Sequence, residues 1–120
     1  CFHGSPYSYN DMIDETLSDR QLGLLIDGYT QKIMTMGHMH HPFLRAFNHI
    51  LLFNPGSVGL PKKRNGKHPS IAYFAILEIA EGRANIAFRS VDVPAEELKR
   101  DILDSGMPHK DWFLSQWDVH

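Results

Sequence analysis

The stretch Ile33-Met34-Thr35-Met36-Gly37-His38-Met39-His40-His41-Pro42 constrains this chain most. Four or five apolar residues read as a strand, a glycine stops it, and two histidines one residue apart follow. In extended backbone, side chains two positions apart share a face. His38 and His40 are therefore expected to look into one cleft, with Met39 and His41 turned away. Imidazole is the commonest protein metal ligand, and two-metal hydrolytic centres hold their ions about 3.5–4 Å apart, which leaves room for one histidine per ion. By itself the spacing fits a plain polar strand end at least as well, because the chain carries eight histidines. The surroundings decide between the two.

A helix leads into that strand. Ser18-Asp19-Arg20-Gln21 is a capping-box pattern, and Leu22, Leu25, Ile26 and Tyr29 recur at helical spacing, with Gly28 as the C-terminal stop. Gly23 inside this run costs about 1 kcal/mol relative to alanine. A helix feeding a strand that ends in candidate ligands is an α/β crossover, and α/β sheets place their sites at the carboxyl ends of strands. Before the helix, Cys1-Phe2-His3 reads as the end of a strand and Gly4-Ser5-Pro6 as a turn. Residues 7–10 form an aromatic and polar loop. Residues 11–17 are weakly helical, with Met12, Ile13 and Leu17 as the apolar positions.

After the histidines the pattern turns to β. Residues 43–47 and 50–53 are apolar runs separated by Asn48-His49, which predicts a hairpin with His49 as a polar turn residue. Asn54-Pro55-Gly56-Ser57 must bend sharply. That bend offers backbone amides to a phosphate or a rigid brace behind the histidines. The basic run Lys62-Lys63-Arg64-Asn65-Gly66-Lys67 reads first as a solvated face, and second as attraction of an anionic substrate towards the cleft. Residues 70–79 are apolar on both alternating faces, the mark of a strand buried from both sides. Glu81-Gly82 then turns the chain into an outer strand over 84–93, with Ile86 and Phe88 inward and Arg89 outward. Residues 94–103 give a helix with proline in its first turn, Glu96 and Glu97 near its positive end and Gly106 beyond. The tail from 109 to 120 has helical spacing through Trp112, Phe113 and Trp117, and is expected to dock on the body or on another subunit, as in a homo-oligomer. His109 and His120 have no expected role.

Composition excludes several classes. A net charge of −2 over 120 residues gives no basic excess for nucleic acid. No run approaches the ~20 apolar residues of a membrane span, and no signal peptide is visible. The single cysteine, Cys1, rules out an internal disulfide and fits a reducing compartment, so a cytoplasmic location is expected. The length describes one globular unit at most.

Taken together, Phe2-His3-Gly4-Ser5-Pro6, then Gly37-His38-Met39-His40-His41-Pro42, then Asn54-Pro55-Gly56-Ser57-Val58-Gly59-Leu60-Pro61 resemble the C-terminal half of the calcineurin-like metallophosphoesterases, in the small prokaryotic phosphodiesterase and phosphatase branch. The likeness covers residues 1 to about 106. It implies an α/β fold, with residues 1–120 forming the C-terminal part of a single αββα sandwich, two packed sheets flanked by helices. It also implies that an N-terminal half should precede Cys1, carrying Asp-x-His, Gly-Asp and Gly-Asn-His motifs that this sequence lacks. By the same resemblance His3, His38 and His40 are metal ligands: His3 and His38 on one ion, His40 on the other. The carboxylate ligands and the histidine that protonates the leaving group are assigned to the absent half, so no catalytic residue is expected here.

The implied activity is hydrolysis of a phosphomonoester or phosphodiester by the full-length protein with two divalent ions, manganese, iron or zinc, manganese being favoured. The implied partner is a small phosphate ester, and the fragment alone is expected to be inactive or nearly so. Met39, His41 and the Lys62-Lys63-Arg64 run depart from the family's pattern without touching a ligand position. One alternative is a non-catalytic binding or regulatory module that retains the histidine loop as structure. A metal hydrolase of the amidohydrolase type ranks behind it, because a hairpin and a β-meander follow the histidines where that type needs alternating βα units.

Overall fold

The computed structural model describes residues 1–119, so His120 lies outside the described residues. Helix α1 (Asp19–Leu25) begins as the capping box requires: the Ser18 hydroxyl accepts the Gln21 N–H, and the Gln21 side chain accepts the Ser18 N–H. The chain then enters β1 (Ile33–Thr35), turns through the histidines into β2 (Pro42–Phe47) and returns as β3 (Ile50–Pro55). β2 and β3 form the expected hairpin, turned at Asn48-His49 with Asn48 in the left-handed conformation. β3 also pairs in parallel with β1, Met34 opposite Leu52, giving the sheet order β1-β3-β2. Met34, Phe43, Ile50 and Leu52 point into a core closed by Leu22 and Ile26 of the α1 segment and by Ile13. Leu22 and Leu52 have no exposed surface; burying each such side chain contributes about 1.5–3 kcal/mol.

Ile13 joins that core from irregular chain rather than from a helix, contrary to the weakly helical reading of residues 11–17. The Asp14 carboxylate explains the difference. It accepts both the N–H (2.8 Å) and the hydroxyl (2.6 Å) of Thr16, a local bond that competes with helix formation. Ser5 donates to Asp11 at 2.5 Å and fixes the start of the segment.

The second half begins with β4 (His68–Pro69), followed by the ribbon β5 (Ile71–Ala80) and β6 (Arg83–Asp92). Ten residue pairs join β5 to β6 across Glu81-Gly82, both in the left-handed region; the type I′ hairpin turn requires that conformation. Helix α2 (Ala95–Asp104) follows, then α3 (Lys110–Ser115) and β7 (Trp117–Asp118), which pairs in parallel with β4. Ile102, Trp117 and Val119 form a second, smaller core. The tail thus docks on the body of its own chain, and its helical spacing ends at Ser115, where Trp117 turns inward as a strand residue.

The expectation that residues 70–79 are buried from both sides is not met among the described residues. Ile76 is 46% exposed and Ile79 66%. The ribbon meets the first core at its near end, where Phe88 packs edge-on against Phe53, and it projects beyond that contact. The radius of gyration, 16.8 Å, exceeds the roughly 14 Å of a compact domain of this length. Alternating apolar side chains record what a strand could bury; which layer covers it is decided by other segments.

Candidate metal centre

The Cys1-Phe2-His3 strand end joins the first sheet beside β1. Phe2 N–H donates to the Thr35 carbonyl (3.1 Å), Gly37 N–H donates to the Phe2 carbonyl (3.2 Å), and Phe2 faces Met36 in parallel register. Two parallel segments in this register end together, so the residues that follow, His3 and His38, emerge side by side at their carboxyl ends. His3 Nε2 lies 2.9 Å from His38 Nδ1, and the rings meet edge to face at 4.8 Å. Gly37 leaves room for the approach: a Cβ there would sit a tight 3.2 Å from His3 Nδ1.

The backbone that carries His38 is not extended. His38 has φ +75° and His40 φ +53°, and Met39 N–H donates to the Gly37 carbonyl at 3.0 Å. A bond from residue i+2 back to residue i around a positive φ is a γ-turn of the strained kind. Alternation along a strand, the warrant for placing His38 and His40 on one face, therefore does not operate here, because β1 ends at Thr35. Strain of this sort costs about 1–3 kcal/mol and persists only where the surroundings impose it.

Asn54 imposes it. Its side chain is fully buried, donates Nδ2–H to the same Gly37 carbonyl at 2.9 Å, and accepts the Gly56 N–H on Oδ1 at 2.9 Å. One amide thus ties the backbone of the histidine turn to the Asn54-Pro55-Gly56-Ser57 bend. This is the bracing alternative offered by the sequence. Gly56, at φ +91°, is the residue that lets the chain pass: a Cβ there would lie 2.6 Å from Tyr73 Cβ. The His40 carbonyl is held by Lys62 N–H at 2.9 Å.

Of the three sequence-predicted ligands, the structure brings His3 and His38 together. His40 is half-buried on the same loop, with no hydrogen bond or ring contact to either among the described residues. Nor, among those residues, do three or more histidine, cysteine, aspartate or glutamate side chains cluster so as to hold a metal. His41, outside the predicted set, meets Glu15 at 3.2 Å; its place beside the motif gave no signal of that partner. His49 lies exposed in its hairpin turn as expected.

The pair suits a cation in one respect and is incomplete in another. Two nitrogens about 2.0–2.1 Å from one ion stand about 2.9 Å apart at a right angle and about 3.3 Å apart in a tetrahedral site, so the 2.9 Å separation found lies at the short end of that range. Two neutral imidazoles bring no negative charge, however, so a divalent ion here needs carboxylates from elsewhere. In the structure as it stands, one facing nitrogen carries a proton and the other is bare, which puts two neutral rings in the same tautomer, both Nε2–H or both Nδ1–H.

No protein-family model matches the sequence, and no curated protein does. Among solved structures, the chain is similar to a metallophosphoesterase from Sphaerobacter thermophilus, at 20% identity and a TM-score of 0.66, over 96% of this chain and 54% of that one. It is also similar to a hypothetical protein from Pyrococcus horikoshii, at 18% identity and a TM-score of 0.68, over 94% of this chain and 44% of that one. The chain spans about half the length of the solved structures it matches. Mixed α/β architecture and this likeness agree with the sequence reading: the chain has the fold of part of a metallophosphoesterase.

Proposed function

We propose that the whole protein is a metal-dependent phosphoesterase that hydrolyses a small phosphomonoester or phosphodiester in the cytoplasm, with His3, His38 and His40 among its metal ligands. The observation that carries this reading is the imidazole pair His3–His38, set at the carboxyl ends of neighbouring parallel segments, with His38 on a strained turn. Divalent ions, manganese before iron or zinc, would lower the pKa of bound water and clamp the attacking and leaving oxygens. The part played by this chain is to fix the ligands. Asn54 holds the Gly37 carbonyl, Gly37 gives the His3 ring its place, and Lys62 ties down the loop at His40. Carboxylate ligands and the proton donor to the leaving group are assigned to a preceding segment.

A second reading is favoured by one specific contact. The direct His3–His38 hydrogen bond satisfies both facing nitrogens without an ion, as a histidine loop kept as structure in a non-catalytic binding module would. Hydrolysis of a chromogenic phosphodiester by the whole protein, lost in His38→Ala while the protein stays folded, supports the enzyme. A protein that turns over neither chromogenic monoesters nor diesters with any of the three metals supplied supports the module.

A further inference from the structure

We propose that the hairpin at residues 62–67 walls a second binding site, separate from the histidine pair, for a small phosphorylated polyhydroxy compound such as a sugar phosphate. Four of the twelve lysines and arginines fall within these six residues, in a chain of net charge −2. Two backbone hydrogen bonds close the hairpin. Arg64 N–H donates to the Lys67 carbonyl at 2.7 Å and Lys67 N–H to the Arg64 carbonyl at 3.0 Å. Between them Asn65 and Gly66 both have positive φ, the two-residue turn matched to strand twist. Its base is fixed on both sides, by Lys62 N–H on the His40 carbonyl and by His68 Nδ1 on the carbonyl of buried Pro61 at 2.6 Å.

Arg64, Asn65, Lys67, Pro69 and Asp118 line a cavity of about 400 Å³, within the size range of small-molecule sites. The Arg64 guanidinium gives one N–H to Tyr73 Oη at 2.8 Å. Of its five donors the rest bond nothing among the described residues. A guanidinium held at one corner with its remaining donors free is suited to a phosphate, which it binds through paired N–H donors. The Asp118 carboxylate sets the other requirement. Its backbone carbonyl accepts Ser70 Oγ–H at 3.0 Å, while its side chain and that of Asn65 bond nothing among the described residues. A carboxylate repels a bare anion and accepts hydroxyl donors, so the site favours a ligand that is anionic at one end and hydroxylated at the other.

The test is calorimetric titration of the whole protein, wild type and in a His38→Ala background that silences the histidine site, with glucose 6-phosphate, inorganic phosphate and glucose as probes. Glucose 6-phosphate should bind in both backgrounds, and glucose should give no detectable heat. Arg64→Ala should weaken glucose 6-phosphate about tenfold or more, with Arg64→Lys recovering only part, because the paired donors are lost. Tyr73→Phe, which frees the guanidinium without removing it, should weaken binding by a smaller factor and serves if Arg64→Ala does not fold. Asp118→Asn should weaken glucose 6-phosphate while leaving inorganic phosphate unchanged or tighter. Absence of glucose 6-phosphate binding to the wild type overturns the proposal. So does Asp118→Asn moving both phosphate probes in the same direction, since that would mark a generic basic surface. Because binding is read without turnover, an inactive protein that still binds would leave this site standing and remove only the phosphoesterase reading.

Discussion

Replacing Asn54 by alanine probes the brace on the histidine turn. The substitution removes two hydrogen bonds from a side chain with no exposed surface. The Gly37 carbonyl keeps its bond from Met39 N–H, so its loss is partial, whereas the Gly56 N–H is left without its acceptor. An unsatisfied group costs about 1–3 kcal/mol, and the vacated volume adds roughly 1 kcal/mol, for a total of about 2–4 kcal/mol. Urea unfolding of the purified protein, with a slope of about 1–3 kcal/mol/M, should show a midpoint lower by about 1–2 M with the slope unchanged. Asn54→Asp separates the two bonds. It keeps an acceptor for Gly56 N–H but sets a carboxylate oxygen against the Gly37 carbonyl, in a fully buried position. Burial would raise the folded pKa of that new carboxyl, so its penalty is absent below the unfolded value of about 3.9 and grows as the pH rises towards the folded one. The aspartate variant should therefore be less stable at pH 7 than at pH 4, relative to wild type. A midpoint for Asn54→Ala within about 0.2 M of wild type would refute the bracing role and leave the γ-turn at His38 without a cause.

Three further predictions concern the frame around the site. Gly56→Ala should destabilise by about 2–4 kcal/mol because a positive φ and a 2.6 Å contact with Tyr73 act together; Gly66→Ala, with the same sign of φ but open space, should cost about 1 kcal/mol. Ser18→Ala should lower stability by about 1 kcal/mol through loss of the capping box, read from the same unfolding curves. The Asp14 carboxyl lies below the ordinary aspartate range, chiefly because the Thr16 hydroxyl donates to it. A depressed folded pKa contributes stability that is present above the unfolded value and lost as the pH falls through the folded one. The stability difference between wild type and Asp14→Asn should accordingly be larger at pH 7 than at pH 2.5.

What was legible in the sequence was the chemistry that acts over a few residues. Ser18 with Gln21, the Asn48-His49 turn and the Glu81-Gly82 turn each specify local geometry by themselves, and each is found where it was read. The strand end at Phe2 and the strand before Gly37 were also legible, and their parallel register brings His3 to His38. The His38–His40 relation was read from strand alternation, and two left-handed residues cancel that argument; histidine in that conformation has no signature in sequence. Asn54 was visible as part of a bend, but that its amide would reach back to Gly37 depends on β1 and β3 lying side by side. The burial of Phe74 and Ile76 was overestimated for a related reason. Their apolar character is a property of the residues, while their cover depends on what packs against the ribbon.

Metal content of the whole protein tests the central claim most directly. After purification without chelator and loading with manganese, the wild type should hold about two ions per chain, and His3→Ala and His38→Ala should each bring the content to about one or below, with far-ultraviolet circular dichroism unchanged. A wild-type protein that retains no transition metal, or histidine variants that bind as much as wild type, would contradict the account.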